Sequence, residues 1–342
     1  MEKFSYGKLS DGREVTAFRI TNKNGCSLMM IDFGATVVSL TMPNKDGKMT
    51  DVVIGYDTGK EYGDNEGFLG ACIGRFGNRI GKGKFELNGT VYDIEKSEGN
   101  NVLHGGILGY HKRFFEGHEE DGKLVFTRLS PDGEAGFPGN LQVRVEVSLS
   151  DDNVLEFHYT ATTDKDTVVN LTNHAYYNLA GHGDILGHEL KIYASNYTPI
   201  DAESIPTGEI APVVGTPLDF TKAKPIGQDI GADMEQMKIV GGFDHNYVLD
   251  SKEPFHKAAE LYCPETGIQM LVETKEAGMQ FYSGNWISAK VGKGGAPMDI
   301  RYGLCLETQN FPDAVNKPNF PSAVLRVGET YDTRTTYSFT VR

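Results

Sequence analysis

A carboxylate directly follows an apolar run near the end of the chain. Leu304, Cys305 and Leu306 fit a buried strand that we expect to end at Glu307, where the sequence breaks into a polar loop. Burying an unpaired charge is costly, so this carboxylate must be hydrogen-bonded, exposed in a cleft or shifted in pKa. Each situation suits a catalytic base, although a solvated glutamate at a strand end gives the same pattern. Glu307 is therefore a candidate base whose role depends on other residues.

Four polar clusters elsewhere contain residue types that transfer protons or bind hydroxyl groups. They lie in apolar or glycine-rich sequence at residues 77–80, 101–106, 173–179 and 242–247. Their candidate functional residues are Asn78, Arg79, His104, His174, Tyr176 and Asp244. Each cluster alone also fits a structural role, since a histidine in apolar sequence is commonly a satisfied core group and an aspartate beside glycines commonly caps a turn.

Strands are the elements that must position these residues. Glycine supplies 41 of 342 residues, which indicates many turns between short apolar stretches. Asn88-Gly89 lies between two alternating runs and predicts a type I′ hairpin over residues 85–94. Further strands are predicted at 15–20, 36–41, 141–149, 153–161 and 335–341, and one short helix at 225–237. The sequence thus predicts one all-β domain over residues 1–342, with large antiparallel sheets and a ligand cleft on a concave sheet face or its rim.

Charge and cysteine usage exclude several classes of partner. The formal net charge of −14 argues against nucleic acid or an anionic membrane. The four cysteines, Cys26, Cys72, Cys263 and Cys305, form no CxxC pair, so neither a disulfide framework nor a zinc site is indicated. The sequence shows neither a signal-peptide pattern nor an apolar run of membrane-spanning length. We expect reduced thiols and a cytoplasmic location.

Taken together, the motifs resemble those of the aldose 1-epimerase, or galactose mutarotase, family. The matching text is Gly-Asn78-Arg79-Ile, Leu103-His104-Gly-Gly, Asn173-His174-Ala-Tyr176-Tyr-Asn-Leu, Gly-Gly-Phe-Asp244-His-Asn-Tyr, Gln280-Phe-Tyr-Ser-Gly-Asn285 and Leu-Glu307-Thr-Gln. The resemblance runs from about residue 30 to the end of the chain, in the family's order and spacing, and no site position departs from it.

The resemblance implies a fold, an activity and a set of site residues. The fold would be a single β-supersandwich domain, and the activity the interconversion of α and β anomers of free aldoses such as galactose and glucose. Glu307 would be the catalytic base and His174 the catalytic acid. The sugar-binding residues would be Asn78, Arg79, His104, Tyr176, Asp244 and Gln280. We expect no cofactor or metal, a small free sugar as the partner, no nucleic acid or membrane partner, and a monomer or homodimer.

This chemistry places demands on pKa values. A glutamate is a weak base and a histidine is mostly neutral at pH 7 when neither pKa is perturbed. Burial should raise the pKa of Glu307, and nearby carboxylate charge should raise that of His174. Phe281, Tyr282 and Trp286 could form a wall for a sugar, but we expect them in the core.

Three other functions fit parts of the pattern. Glu307 and Asp244 could be the carboxylate pair of a glycosidase, although a protonating histidine is not usual there. A sugar-phosphate epimerase would need more cations than Arg79, the one cation in the site motifs. A non-catalytic sugar-binding module would not need both Glu307 and His174.

Overall fold

The computed structural model describes residues 1–64 and 67–342, and most of its regular structure is strand. Two short α-helices lie in that part of the chain, α1 (Gly59–Asp64) and α2 (Glu235–Val240). The strands, in chain order, are β1 (Glu2–Lys8), β2 (Glu14–Thr21), β3 (Ser27–Ile31), β4 (Thr36–Pro43), β5 (Met49–Asp51), β6 (Cys72–Ile73), β7 (Arg79–Ile80), β8 (Lys84–Leu87), β9 (Thr90–Asp93), β10 (Val102–Leu103), β11 (Glu116–Glu120), β12 (Lys123–Ser130), β13 (Leu141–Leu149), β14 (Val154–Thr163), β15 (Thr167–Val168), β16 (Thr172–Asn173), β17 (Glu189–Ile192), β18 (Asn196–Tyr197), β19 (Ala211–Pro212), β20 (Lys224–Pro225), β21 (Asp244–Val248), β22 (His256–Tyr262), β23 (Ile268–Thr274), β24 (Gly278–Tyr282), β25 (Cys305–Gln309), β26 (Val324–Leu325) and β27 (Tyr331–Val341).

A nine-stranded antiparallel sheet forms the largest layer, in the order β11-β12-β13-β14-β27-β23-β22-β17-β20. β13 shows why these segments are strands: Leu141, Val143, Val145 and Val147 are buried while the residues between them are more exposed. Period-two alternation puts one face on the core and the other towards solvent. The last strand in the sequence, β27, lies between β14 and β23.

A five-stranded meander, β1-β2-β3-β4-β5, packs on the large sheet. Phe18 of β2 meets Phe126 of β12 edge to face, with ring centroids 5.5 Å apart. Both rings belong to one apolar cluster that also includes Phe339 of β27. The third sheet, β19-β18-β21-β24-β25, contributes Tyr247 and Phe281 to the same cluster. These layers confirm the predicted all-β class with large antiparallel sheets and few short helices.

The predicted hairpin and strands are confirmed where the sequence pattern of the segment itself indicated them. β8 and β9 form the predicted hairpin, with φ of 53° at Asn88 and 75° at Gly89, as a type I′ turn requires. The predicted strands at 15–20, 36–41, 141–149, 153–161 and 335–341 correspond to β2, β4, β13, β14 and β27.

The predicted helix at 225–237 is wrong as a continuous element. The segment holds a 3-10 turn, Ile226–Gln228, and then irregular chain before α2 begins at Glu235. Gly227 and Gly231 lower its helix propensity, and the N–H of Gly227 donates to the carbonyl of Leu186 outside the segment. A helix able to cross a membrane is not found among residues 1–64 and 67–342.

Candidate active site

Three paired strands bring the candidate carboxylates onto one sheet face. Asp244 of β21 lies opposite Tyr282 of β24, and Gln280 of β24 lies opposite Glu307 of β25. Side chains two residues apart share a face, so these four point to the same side of the sheet. Glu307 lies in the middle of β25, all of which is buried, so the expectation that the strand ends at Glu307 is wrong. The strand continues because Thr308 and Gln309 keep the pairing with β24.

A small strand pair positions Asn78, Arg79 and His104. β7 pairs with β10, and Leu103 lies opposite Arg79. Asn78 and His104 flank the pair with positive φ values of 63° and 53°. The backbone N–H of Asn78 donates to Nδ1 of His104 at 3.1 Å, and the N–H of His104 donates to the carbonyl of Asn78 at 3.1 Å. Nδ1 is therefore an acceptor, and neutral His104 carries its proton on Nε2.

Arg79 is held by a residue that sequence reasoning missed. Its Nε and Nη2 donate to the two carboxylate oxygens of Glu98 at 2.6 Å and 2.9 Å. Burial lowers the pKa of Arg79, but the bonds to Glu98 and the charges of Asp244 and Glu307 raise it overall. No motif surrounds Glu98, so only the general need of a buried arginine for a partner could have suggested it.

His174 and Tyr176 follow β16 and face Glu307. Nε2 of His174 is 3.8 Å from Oε1 of Glu307, and its Nδ1 is 3.4 Å from Sγ of Cys305. The ring of Tyr176 lies 5.0 Å from that of His174, and its hydroxyl donates to the carbonyl of Gly67 at 2.9 Å. Oε2 of Glu307 is buried without a hydrogen-bond partner among the described residues.

These side chains surround a cavity of ≈ 150 Å³. Its lining residues are Gly67, Phe68, Asn78, Arg79, Glu98, Leu103, His104, His174, Tyr176, Asp244, Tyr282, Trp286 and Glu307. All predicted site residues except Gln280 line it. Gln280 lies behind the wall, where its Nε2 donates to Oδ1 of Asp244 at 2.7 Å. It supports a lining residue without lining the cavity itself.

The aromatic wall differs in part from expectation. Phe281 is a core residue, as predicted. Tyr282 is buried in an apolar core cluster, as predicted, but it also lines the cavity. Trp286 lines the cavity and is 55% exposed, so placing it in the core was wrong. Phe68, which no motif marked, has its ring centroid 4.6 Å from that of His104. Its left-handed φ of 58° is unusual for a bulky residue, but such a conformation is not visible in sequence.

Burial dominates the electrostatics of the site. It raises the pKa of Glu307 well above its usual value, assisted by the charge of Asp244 and opposed by Arg79, which confirms the expected direction. It also raises the pKa of Asp244. For His174, burial lowers the pKa to about 4, so the expected increase is wrong. Loss of hydration outweighs carboxylate attraction because the ring is enclosed and Glu307 itself favours the neutral form.

Three of the lining residues have the types found in metal sites. Ligand atoms of His104, His174 and Glu307 all lie within 4.8 Å of one another. However, the N–H of Asn78 occupies Nδ1 of His104, which leaves a proton on Nε2 and no lone pair there for a cation. The set does not fit a metal centre in this tautomer, and metal independence stays a prediction.

Comparisons with known proteins point to one family. A family model described as aldose 1-epimerase matches residues 16–338. The galactose mutarotase of Homo sapiens is 40% identical over 315 residues, which cover 91% of this chain and 90% of that protein. The aldose 1-epimerase of Escherichia coli (strain K12) is 37% identical over 334 residues, 96% of each chain.

Solved structures agree with the sequence comparisons. The GalM/aldose epimerase homologue from C. elegans matches with a TM-score of 0.89 and 30% identity, covering 95% of this chain and 98% of that one. The galactose 1-epimerase from Lactobacillus acidophilus NCFM matches with a TM-score of 0.86 and 25% identity, covering 99% of this chain and 98% of that one.

Proposed function

Because the chain belongs to the aldose 1-epimerase family and interconverts the α and β anomers of aldoses, we propose that Glu307 and His174 carry its proton transfers. We propose free galactose and glucose as substrates; galactose appears in the names of several relatives. Glu307 acts as the base at the C1 hydroxyl and His174 as the acid at the ring oxygen.

One observation carries the assignment of these two roles. Among residues 1–64 and 67–342, the buried carboxyl oxygen Oε2 of Glu307 has no hydrogen-bond partner, and it lies on the wall of a small cavity. Such an atom is costly to keep, and a hydroxyl proton from a substrate would satisfy it. His174 Nε2 lies 3.8 Å from Oε1 of the same carboxylate, so an acid and a base face one cavity.

The proposed reaction needs two proton transfers in each direction. Glu307 takes the proton of O1–H, an O1 lone pair forms the C1=O bond, and the C1–O5 bond breaks. The electrons of that bond go to O5, which takes a proton from the His174 imidazolium. After rotation about C1–C2, O5 attacks the other face of the aldehyde. His174 recovers the proton from O5, and Glu307 returns one to O1, so the enzyme ends unchanged.

The raised pKa of Glu307 and lowered pKa of His174 define the resting state of the pair. Together they put the single shared proton on the carboxyl group in the empty site. Transfer of that proton to Nε2 produces the working pair, carboxylate and imidazolium, without proton exchange with solvent. The working form is the minority, but its base is strong and its acid is strong, which favours both transfers.

The remaining lining residues bind the sugar in this proposal. Asp244, supported by Gln280, accepts from sugar hydroxyls, and Nε2–H of His104 donates to one. Tyr176 and Asn78 complete the polar wall. Arg79 orients the sugar with the donor groups not used by Glu98. No second cation lines the described part of the cavity to hold a phosphate group, which disfavours the sugar-phosphate alternative.

We also propose that residues 1–342 form one domain, acting on a free sugar as a monomer or homodimer in the cytoplasm. The support is an apolar cluster that joins Phe18 to Phe339 and a net charge of −14. Neither a cofactor nor a nucleic-acid or membrane partner is needed for the proposed chemistry.

Polarimetry tests the proposal. Freshly dissolved α-galactose should reach its equilibrium rotation much faster with the protein than in buffer, with or without EDTA. Glu307→Gln should lower the rate by about 10²- to 10⁴-fold, the usual contribution of one proton-transfer group, while the protein stays folded.

Glu276→Gln is the matched control, because Glu276 is a half-buried carboxyl with a raised pKa but does not line the cavity. This variant should retain activity. Release of nitrophenol from a nitrophenyl galactoside would point instead to a glycosidase. Normal turnover in Glu307→Gln would show that another residue is the base.

A further inference from the structure

The ion pair of Arg79 and Glu98 lies where the catalytic cavity meets a second one. A cavity of ≈ 400 Å³ adjoins the first, and the two share Arg79, Glu98 and Trp286 as lining residues. The side chain of Glu98 is 38% exposed, whereas that of Arg79 is 8% exposed. The carboxylate is therefore the more accessible partner of this pair at the border between the two cavities.

Negative charge outnumbers positive charge on the walls of the two cavities. Their lining carboxyl groups are Glu98, Glu203, Asp244 and Glu307, and Arg79 is the one cation among the described lining residues. Burial raises the pKa of Asp244, and the charge of Glu98 adds to this increase while Arg79 opposes it. The field of Glu98 thus extends to a carboxyl group inside the catalytic cavity.

Glu98 also occupies donor groups that would otherwise attract an anion. Arginine binds carboxylate and phosphate groups well, because its planar donor groups match two oxygens at once. In this protein Nε and Nη2 of Arg79 form such a two-point contact with Glu98, at 2.6 Å and 2.9 Å. An anionic substituent of a sugar therefore meets a cation that is already paired and a carboxylate beside it.

We propose that Glu98 is a specificity-determining residue that restricts the cavity to uncharged sugars, both by pairing with Arg79 and by repelling anionic substituents. The inference rests on the proposed function and deepens it. A neutral hydroxyl group can still bind to Asp244 or to Nη1 of Arg79, which Glu98 does not contact. A carboxylate or phosphate group would lose its hydration without gaining a counter-charge, and that loss is costly.

The charge of the substrate can be changed at nearly constant size. Glucuronamide and glucuronate are glucose derivatives that carry an uncharged amide and a carboxylate at C6. For the wild-type protein at neutral pH and low ionic strength, kcat/KM should be about 10- to 100-fold lower for glucuronate, because like charges a few ångströms apart repel at a protein surface. Polarimetry of fresh solutions, corrected for the rate in buffer, measures both values.

Glu98→Gln tests whether this residue causes the preference. The variant is nearly isosteric, and the ratio of the two kcat/KM values should fall about tenfold. Less precise placement of Arg79 would raise KM for both sugars alike and cancel in the ratio. Glu95→Gln removes the same charge from an exposed residue of the same loop, outside both cavities, and should leave the ratio unchanged. An unchanged ratio in Glu98→Gln would overturn the proposal.

A second variant covers the case in which Glu98→Gln does not fold because Arg79 has lost its partner. Glu98→Asp keeps the charge but withdraws the carboxylate by one methylene group, which breaks the two-point contact and frees donors of Arg79. The ratio should then fall about threefold, since repulsion weakens with distance. A ratio equal to that of the wild type would overturn the proposal here as well.

The proposed function and the role of Glu98 fail in different ways. A wild-type protein that does not accelerate the mutarotation of glucose would contradict the proposed function. A wild-type protein that accelerates it, yet converts glucuronate and glucuronamide equally well, would contradict the role of Glu98 alone.

Discussion

Glu307 and His174 differ from free glutamate and histidine in the order of their pKa values. Burial raises the pKa of Glu307 and lowers that of His174, so the pair holds one proton over a wide pH range. Because the resting and working pairs contain the same number of protons, the fraction in the working form does not depend on pH within that range.

The pH profile of kcat/KM should reflect this order. Below a pH of about 4, His174 becomes protonated while Glu307 keeps its proton. The pair then holds two protons, no base is left, and activity should fall. Above the raised pKa of Glu307 the pair loses its proton, and activity should fall again. Polarimetric rates corrected for buffer catalysis measure the profile, with circular dichroism reporting folding at each pH. A decline centred at 6.5, the usual histidine value, would contradict the depressed pKa of His174.

Sequence reveals one of these two shifts and not the other. The apolar run before Glu307 predicts burial, and burial of a lone carboxyl has one direction of effect on its pKa. For His174, burial and carboxylate charge act in opposite directions. The rings of Phe68, His104 and Tyr176 enclose it, and they come from three separated parts of the chain. Their joint effect follows from the fold.

At the scale of elements, the register of β21, β24 and β25 builds the site. Gln280 is on the same face as Asp244 and Glu307, but its amide hydrogen-bonds to Asp244 and does not reach the cavity. Its Oε1 accepts from Nε2 of Gln309 at 3.4 Å. This row of side chains fixes the rotamer of the Asp244 carboxylate before a sugar arrives.

Gln280→Met, close in size but without the donor, should therefore weaken sugar binding. A hydrogen bond to a charged group contributes about 1.5–3 kcal/mol, so KM should rise roughly 10- to 100-fold while kcat changes less. Steady-state polarimetry gives both constants. Gln269→Met on β23, away from the cavity, is the control. A loss confined to kcat would show that Gln280 acts on the proton-transfer pair instead.

Elements were predictable where their cause was local. The Asn88-Gly89 turn determines its own hairpin, and alternation alone predicts β13. The pairing of β7 with β10 has no such signal, because each strand has two residues and is held by Asn78 and His104 at its end. Glu98 and Phe68 lie on loops at the cavity. Because neither belongs to a recognisable motif, motif spacing did not reveal them.

At the scale of the whole molecule, the fold buries several neutral histidines. Burial lowers the pKa of His188 to about 4 and that of His245 to about 3. Between pH 6.5 and the depressed pKa, the unfolded chain binds more protons than the folded one. Each such group therefore removes stability as the pH falls through that window.

His188→Gln should make the protein less sensitive to acid. The N–H of Leu179 donates to Nε2 of His188 at 3.0 Å, and a glutamine oxygen can accept that bond but takes up no proton. Between pH 6.5 and 5, the free energy of unfolding of the wild type should fall by about 1.6 kcal/mol relative to the variant, because the slope rises from about half of 1.4 kcal/mol per pH unit at pH 6.5 to nearly the full value at pH 5. Urea denaturation at both pH values measures the difference. Equal losses in the two proteins would contradict the depressed pKa of His188 in the folded protein.

The position of β27 has a consequence for biosynthesis. In the described part of the chain, β27 alone joins the four strands β11 to β14 to the four strands β23, β22, β17 and β20. As the chain emerges from the ribosome, β14 and β23 keep open edges until residues 331–341 are available. Open edges invite pairing with other chains. The nascent protein thus carries two half-sheets in need of protection, and a ribosome that stalls before β27 releases an aggregation-prone product although every site residue has been made.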